Sequence, residues 1–250
     1  MKNIVSLVPS LTRLLYDLNC EDHLLGITDY CPLPKKTQYA PKRIGGPKTP
    51  DLKAIRELAP DCITANTEEN RKEDILDLKK DFPVYVSDVN NLSDSLTMIR
   101  KIGLITDREN EAGLICRKTV SAFNRLPVLK KIDAVYLIWK SPWMSVSQST
   151  FISDIMLRGG FQNIIRSEKK YPVIPLDKCR NATVIFLSSE PYNFSEDDLS
   201  ALQNQFKKAI IMRVDGTLFS WYGSRTMKTP EYLLSLRAKI AERQAIFHGA

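Results

Sequence analysis

The sequence predicts an α/β protein of two lobes with mainly parallel central sheets, joined by one long backbone helix. Three observations carry that expectation. Short apolar runs alternate with stretches of helical period, the order that parallel strands and their crossover helices leave in a chain. A single long amphipathic stretch interrupts the alternation near the middle, after which the alternation restarts. With 250 residues, 43% apolar and 26% charged, the chain has the composition of a globular protein and the length for two ordinary cores.

The first lobe opens on "NIVSLV", a short apolar strand ended by Pro9. "SLTRLLYDLN" follows with Leu11, Leu14, Leu15 and Leu18 at helical spacing and Ser10 as the expected N-cap. After the strand "LGIT" the grammar repeats: "PDLKAIRELAP" helix, "DCITAN" strand, "NRKEDILDLKKDF" helix, "PVYVSD" strand, "LSDSLTMIRKIGLIT" helix. Asn70 with Glu73 three residues on has the spacing of a capping box, which predicts a helix start there. Residues 107–126, "DRENEAGLICRKTVSAFNRL", place apolar side chains at 112, 115, 116, 120 and 123 and read as one helix. Its length is roughly 30 Å at about 1.5 Å per residue. The second lobe then runs through "DAVYLIW", "TFISDIMLRGG", "VIPLDKCRNATVIFL", "SEDDLSALQNQF" and "AIIMRV" to a final helix, "TPEYLLSLRAKIAERQAIF". The expected division is 1–106, 107–127 and 128–250.

Several function classes are disfavoured. No apolar run approaches the roughly 20 residues of a membrane span, so no membrane insertion is expected. The N-terminus lacks a secretory pattern, which predicts a cytoplasmic protein as the chain stands, or a periplasmic or cell-surface one if an export signal has been removed. Five dispersed cysteines and two histidines give neither a disulfide frame nor a metal site. The formal charge of +7 is spread in isolated residues and pairs, "KK" at 35, 79, 130, 169 and 207, which reads as solvated surface with no nucleic-acid partner. No nucleophile elbow, phosphate loop, dinucleotide fingerprint or zinc-protease helix is present, and no catalytic residue is assigned. Cys31 reads as a buried or lining thiol.

In an open α/β sheet, ligands sit at the carboxyl ends of the strands. The loops predicted there carry Tyr30, Trp139, Trp143, Tyr192, Trp221 and Tyr222, including all three tryptophans. That concentration suits a large, flat, partly apolar ligand. The alternative is that the rings pack the lobes together. "LFSWYGSRT" (218–226) poses the choice most sharply, because it reads as a polar turn holding two large rings.

The stretches "IVSLVPSLTRLLYDL", "GITDYCPLP", "DLKAIRELAPDCITAN", "EENRKEDI", "YLIWKSPWM", "TFISDIMLRGGFQNI", "SSEPYNF" and "VDGTLFSWYGSRT" resemble ABC-importer substrate-binding proteins of the cobalamin and iron-siderophore type, the helical-backbone metal receptors. The resemblance runs from Ile4 to about Leu236. It implies a non-enzymatic, monomeric protein that holds a small-molecule ligand in the cleft between two lobes and hands it to an ABC permease. Tyr30, Trp139 and Trp221 match positions lining the cleft in cobalamin binders; Trp143 and Tyr222 share loops with the two tryptophans, and Tyr192 lies in the strand-end loop "SEPYNF". Asn66 stands where a cobalamin binder carries a tryptophan, and Ser220 where it carries an aspartate. The implied ligand is cobalamin or another corrinoid, bound without a covalent link, ahead of a ferric siderophore or haem. The resemblance also implies one acid per lobe that meets the permease: Glu190 in the second, and Glu69 in the first with Glu68 and Glu73 as alternatives in "TEENRKED", the competing reading being that these acids only stabilise the helix start. The rival reading is a cytosolic enzyme or cofactor-handling protein that has reused the fold.

Overall fold

A computed structural model describes residues 2–33 and 40–248, and the chain divides into two compact units. The end of "DYCPLP" and the lysine pair at 35 lie outside the described residues. The first unit comprises Met1–Val89, Ser93–Thr119 and Tyr222–Arg225; the second takes Asn90–Leu92, Val120–Trp221 and Thr226–Ala250.

In chain order the first unit builds β1 (Ile4–Ser6), α1 (Pro9–Asp17), β2 (Leu24–Ile27), β3 (Lys42–Arg43), β4 (Gly45–Gly46), β5 (Thr49–Pro50) and α2 (Leu52–Leu58). There follow β6 (Cys62–Asn66), α3 (Lys72–Leu78), β7 (Val84–Ser87), α4 (Leu92–Ile105) and α5 (Glu109–Asn124). Its main sheet has the order β3-β2-β1-β6-β7 with every pair parallel, and β4 and β5 form a small antiparallel ladder. Both β1 and β6 are buried along their whole length, as expected where a parallel sheet is covered on both faces.

Three helix starts differ from the sequence reading. α1 begins at Pro9, and its cap, Val8, makes no side-chain bond. Proline is suited to the first helical position because its missing N–H would be unpaired there anyway, so Ser10 lies inside the helix. α3 begins at Lys72 after Arg71 because Asn70, 7% exposed, serves elsewhere. Its Oδ1 accepts from Asn66 N at 2.9 Å, and its Nδ2 donates to Leu7 O at 3.3 Å and Pro47 O at 3.2 Å. Satisfying three buried main-chain groups outweighs one cap. α5 begins at Glu109 because Asp107 is left-handed, φ 55°, and Arg108 N donates back to Gly103 O at 2.8 Å, closing α4. The two units part within α5, between Thr119 and Val120.

The second unit continues with β8 (Ile132–Trp139), β9 (Met144–Ser145), α6 (Phe151–Arg158), β10 (Phe161–Asn163), β11 (Val184–Ser188), α7 (Glu196–Gln205), β12 (Ile210–Val214), α8 (Thr217–Ser220) and α9 (Thr229–His248). Its sheet, β10-β8-β11-β12, is parallel, with β9 added antiparallel to β8. Alternate residues of β8 and β11 feed two cores. One face carries Val135, Leu137, Ile185 and Leu187 with Phe194. The other joins Tyr136, Phe161, Phe186 and Phe219 through ring contacts of 4.9 to 6.4 Å. Among the described residues, no helix is long and apolar enough to cross a membrane.

The stretch 218–226 is not a simple turn. α8 occupies its start, Ser224–Lys228 forms a 3-10 helix, and the units part between Trp221 and Tyr222. Its low apolar content hides this because its partners come from distant segments: Gly223 N donates to Ser95 Oγ at 3.1 Å, and Ser224 Oγ to Asp17 Oδ2 at 2.5 Å.

Candidate ligand-binding loops

In the second unit the loops leaving β8 and β11 lie side by side, because those strands are neighbours. They bring four rings into one row. Trp139 meets Tyr192 edge-on with centroids 5.5 Å apart, and Tyr192 meets Phe194 at 4.8 Å. Trp143 stacks on Phe194 at 6.1 Å with planes 9° apart. The row is graded in exposure. Phe194 is fully buried, Trp143 and Tyr192 are half-buried against the core, and Trp139 at the strand end is 39% exposed. Trp143 therefore closes the core from above while Trp139 offers a free face. Phe194, absent from the sequence-predicted set, is the floor of the row.

A charge pair pins the β8 loop. Lys140 Nζ is hydrogen-bonded to the buried carboxylate of Asp198, which also accepts from Ser195 N at 2.9 Å in a capping box at the start of α7. The Lys140 ammonium holds the Asp198 carboxyl below the usual range, and the carboxylate raises the lysine in turn. The Ser195-x-x-Asp198 spacing was the legible sign of this cap.

A second polar chain runs behind the β11 and β12 loops. Tyr136 Oη donates to Ser188 Oγ at 3.0 Å, Ser188 Oγ to Glu190 O at 2.5 Å, and Ser220 Oγ to Glu190 Oε1 at 2.5 Å. Ser220 and Glu190 are thus partners. Gly216 makes the approach possible, since a Cβ there would meet Glu190 Cγ at 2.7 Å. Trp221, half-buried, follows directly after α8.

In the first unit Tyr30, after β2, is 74% exposed. Asn66, at the end of β6, and Tyr222 are buried at 1% and 3% exposure and bonded to each other, Asn66 Nδ2 donating to Tyr222 Oη at 2.6 Å. The same amide donates to Glu69 Oε1 at 3.1 Å, and Asn66 Oδ1 accepts from Glu69 N at 2.7 Å. Burial, then the nearby Glu69 charge, pushes the Tyr222 phenol up. The sequence reading set Asn66 and Tyr222 among ligand-lining side chains; both lie buried in the first unit, joined to each other by this hydrogen bond. Cys31 is likewise buried, within 3.0 Å of Thr12 Oγ1 and 3.1 Å of Thr28 Oγ1, and burial raises its thiol, which leaves little thiolate for nucleophilic chemistry. Among the described residues, no cluster of three or more His, Cys, Asp or Glu is arranged to hold a metal ion.

Two units with parallel sheets carry aromatic rings in strand-end loops, the place where open α/β sheets hold ligands. The chain belongs to the family described as Periplasmic binding protein, which matches residues 4–213, and is a substrate-binding protein of that family. It is similar to the vitamin B12-binding protein of Vibrio parahaemolyticus, 21% identical over 196 residues covering 75% of this chain and 71% of the relative. Its fold is that of the periplasmic vitamin B12 binding protein BtuF of Vibrio cholerae, with a TM-score of 0.78, 20% identity and coverage of 96% of this chain and 98% of the other. It also matches IsdE of S. aureus, solved with heme, at a TM-score of 0.76 and 18% identity over 94% and 98% of the chains.

Proposed function

We propose that the protein carries a corrinoid of the cobalamin type, bound without a covalent link, and presents it to the permease of an ABC importer on the outer side of the cytoplasmic membrane. The observation that carries this reading is the ring row Trp139–Tyr192–Phe194–Trp143, whose exposed end offers a rigid face for a flat macrocycle. In the second unit Ser220 and Trp221, and in the first unit exposed Tyr30 with buried Asn66 and Tyr222, are proposed as further ligand-binding residues. The likeness to B12-binding proteins favours a corrinoid. Glu69 and Glu190 are proposed as the acids that meet the permease.

The test is titration of the purified protein with cyanocobalamin, cobinamide and haemin, followed by tryptophan fluorescence and native mass spectrometry. Saturable quenching with a one-to-one corrinoid mass shift supports the reading. Binding of haemin alone, or of none of the three, overturns it.

A further inference from the structure

The lysine pairs are far apart in the sequence, but the parallel topology gathers some of them. Each of the three segments that lead into β8, β11 and β12 carries two cations: Lys130 and Lys131, Lys178 and Arg180, Lys207 and Lys208. These strands are consecutive in the sheet, and their starts are laced together, Thr183 N donating to Asp133 O and Ile210 N to Thr183 O, both at 2.9 Å. The segments therefore lie side by side along one edge. Arg180, Lys207 and Lys208 line a single hollow of about 430 Å³.

All six cations are exposed, and among the described residues none pairs with a carboxylate. Asp133 and Asp177 are the acids on the same segments, so the edge is strongly cationic. At its rim Val128, two residues before Lys130, is fully exposed. This edge is the end of the sheet opposite the aromatic loops. β8 alone, with eight residues, separates the two ends by about 26 Å.

We propose that this basic edge is a docking surface for an anionic lipid bilayer. A row of exposed cations is attracted to acidic headgroups, each worth about a factor of five in binding near the surface. The exposed Val128, on the same segment as Lys130 and Lys131, can enter the headgroup layer without insertion of a helix. A single-stranded nucleic acid would be expected to find aromatic platforms for its bases, yet the ring nearest the hollow, Phe206, is buried. Lying on a bilayer by this edge leaves the aromatic end of the same strands uncovered.

The experiment is co-sedimentation of the full chain with vesicles of phosphatidylcholine alone and with about 30% phosphatidylglycerol, at about 0.05 M and 0.5 M salt. Binding to the acidic vesicles at low salt, lost at high salt and absent on neutral vesicles, supports the proposal. Lys207→Gln with Lys208→Gln is expected to weaken it about 30-fold. The same change at Lys79 and Lys80, in the first unit, is expected to leave it within about twofold. Equal binding to neutral and acidic vesicles, equal loss from both double variants, or tighter binding to an oligonucleotide than to acidic vesicles overturns it.

Discussion

At the scale of single residues, similar rings do different work, and substitution separates them. Trp139→Ala is expected to weaken ligand binding by about 1–3 kcal/mol, roughly 5- to 150-fold, with little loss of stability, because its exposed face is what a macrocycle would cover. Trp143→Ala should instead lower the melting temperature, since that ring stacks on buried Phe194. Tyr222→Phe is expected to cost about 1 kcal/mol by removing one of the two acceptors of the Asn66 amide, whereas Tyr16→Phe should be neutral or stabilising, because the buried Tyr16 hydroxyl has no partner among the described residues. Burial raises Tyr16 to about 12 and raises Tyr222 as well, so both favour the neutral phenol in the folded state. A raised acid stabilises the fold fully below its unfolded value of about 10, and that stability is lost as pH climbs through the folded value. Melting temperature is therefore expected to fall above about pH 10, with a shallower slope in either Phe variant; a slope unchanged in both would contradict this. The sequence could place these rings in strand-end loops but not tell a ligand face from a core plug. That distinction depends on partners such as Asn66 for Tyr222, 156 residues away.

At the scale of elements, apolar period was legible and boundaries were not. The interiors of α1, α3 and α5 follow from the spacing of their apolar side chains, but their starts depend on what the candidate caps meet in space. Asn70 is drawn away by three main-chain groups, and Asp107 turns left-handed to end α4. Two glycines near that corner make the point measurable. A Cβ on Gly113, within α5, would meet only Arg117 Nη1 at 3.3 Å, the end of a flexible side chain. Gly113→Ala is therefore expected to stabilise by up to about 1 kcal/mol. A Cβ on Gly103 would stand 2.5 Å from Ala112 Cβ, so Gly103→Ala should destabilise by about 1–3 kcal/mol as α4 and α5 are forced apart. Denaturant midpoints moving the same way for both would refute this account.

At the scale of the whole molecule, the α/β class was readable because a parallel sheet must interleave strands with helices, whereas the gathering of charge at one sheet edge was not, because it needs the strand order. The same limit applies to the proposed permease contacts, where each unit offers one carboxylate already engaged internally. Glu69 accepts from Asn66, and Glu190 accepts from Ser220. Those hydrogen bonds fix where each charge stands, which is what an orienting contact requires, since charges at an interface set register and encounter rate more than affinity. They also mean that a charge reversal would disturb the folded loops themselves. Glutamine keeps an acceptor oxygen for Asn66 and for Ser220 while removing the charge. Glu69→Gln with Glu190→Gln is therefore expected to leave corrinoid affinity within about twofold while lowering ligand-stimulated ATP hydrolysis of the reconstituted importer by about tenfold, more steeply at low salt than at high. Full stimulation by the double variant would remove the docking role and leave the two carboxylates as structural acceptors.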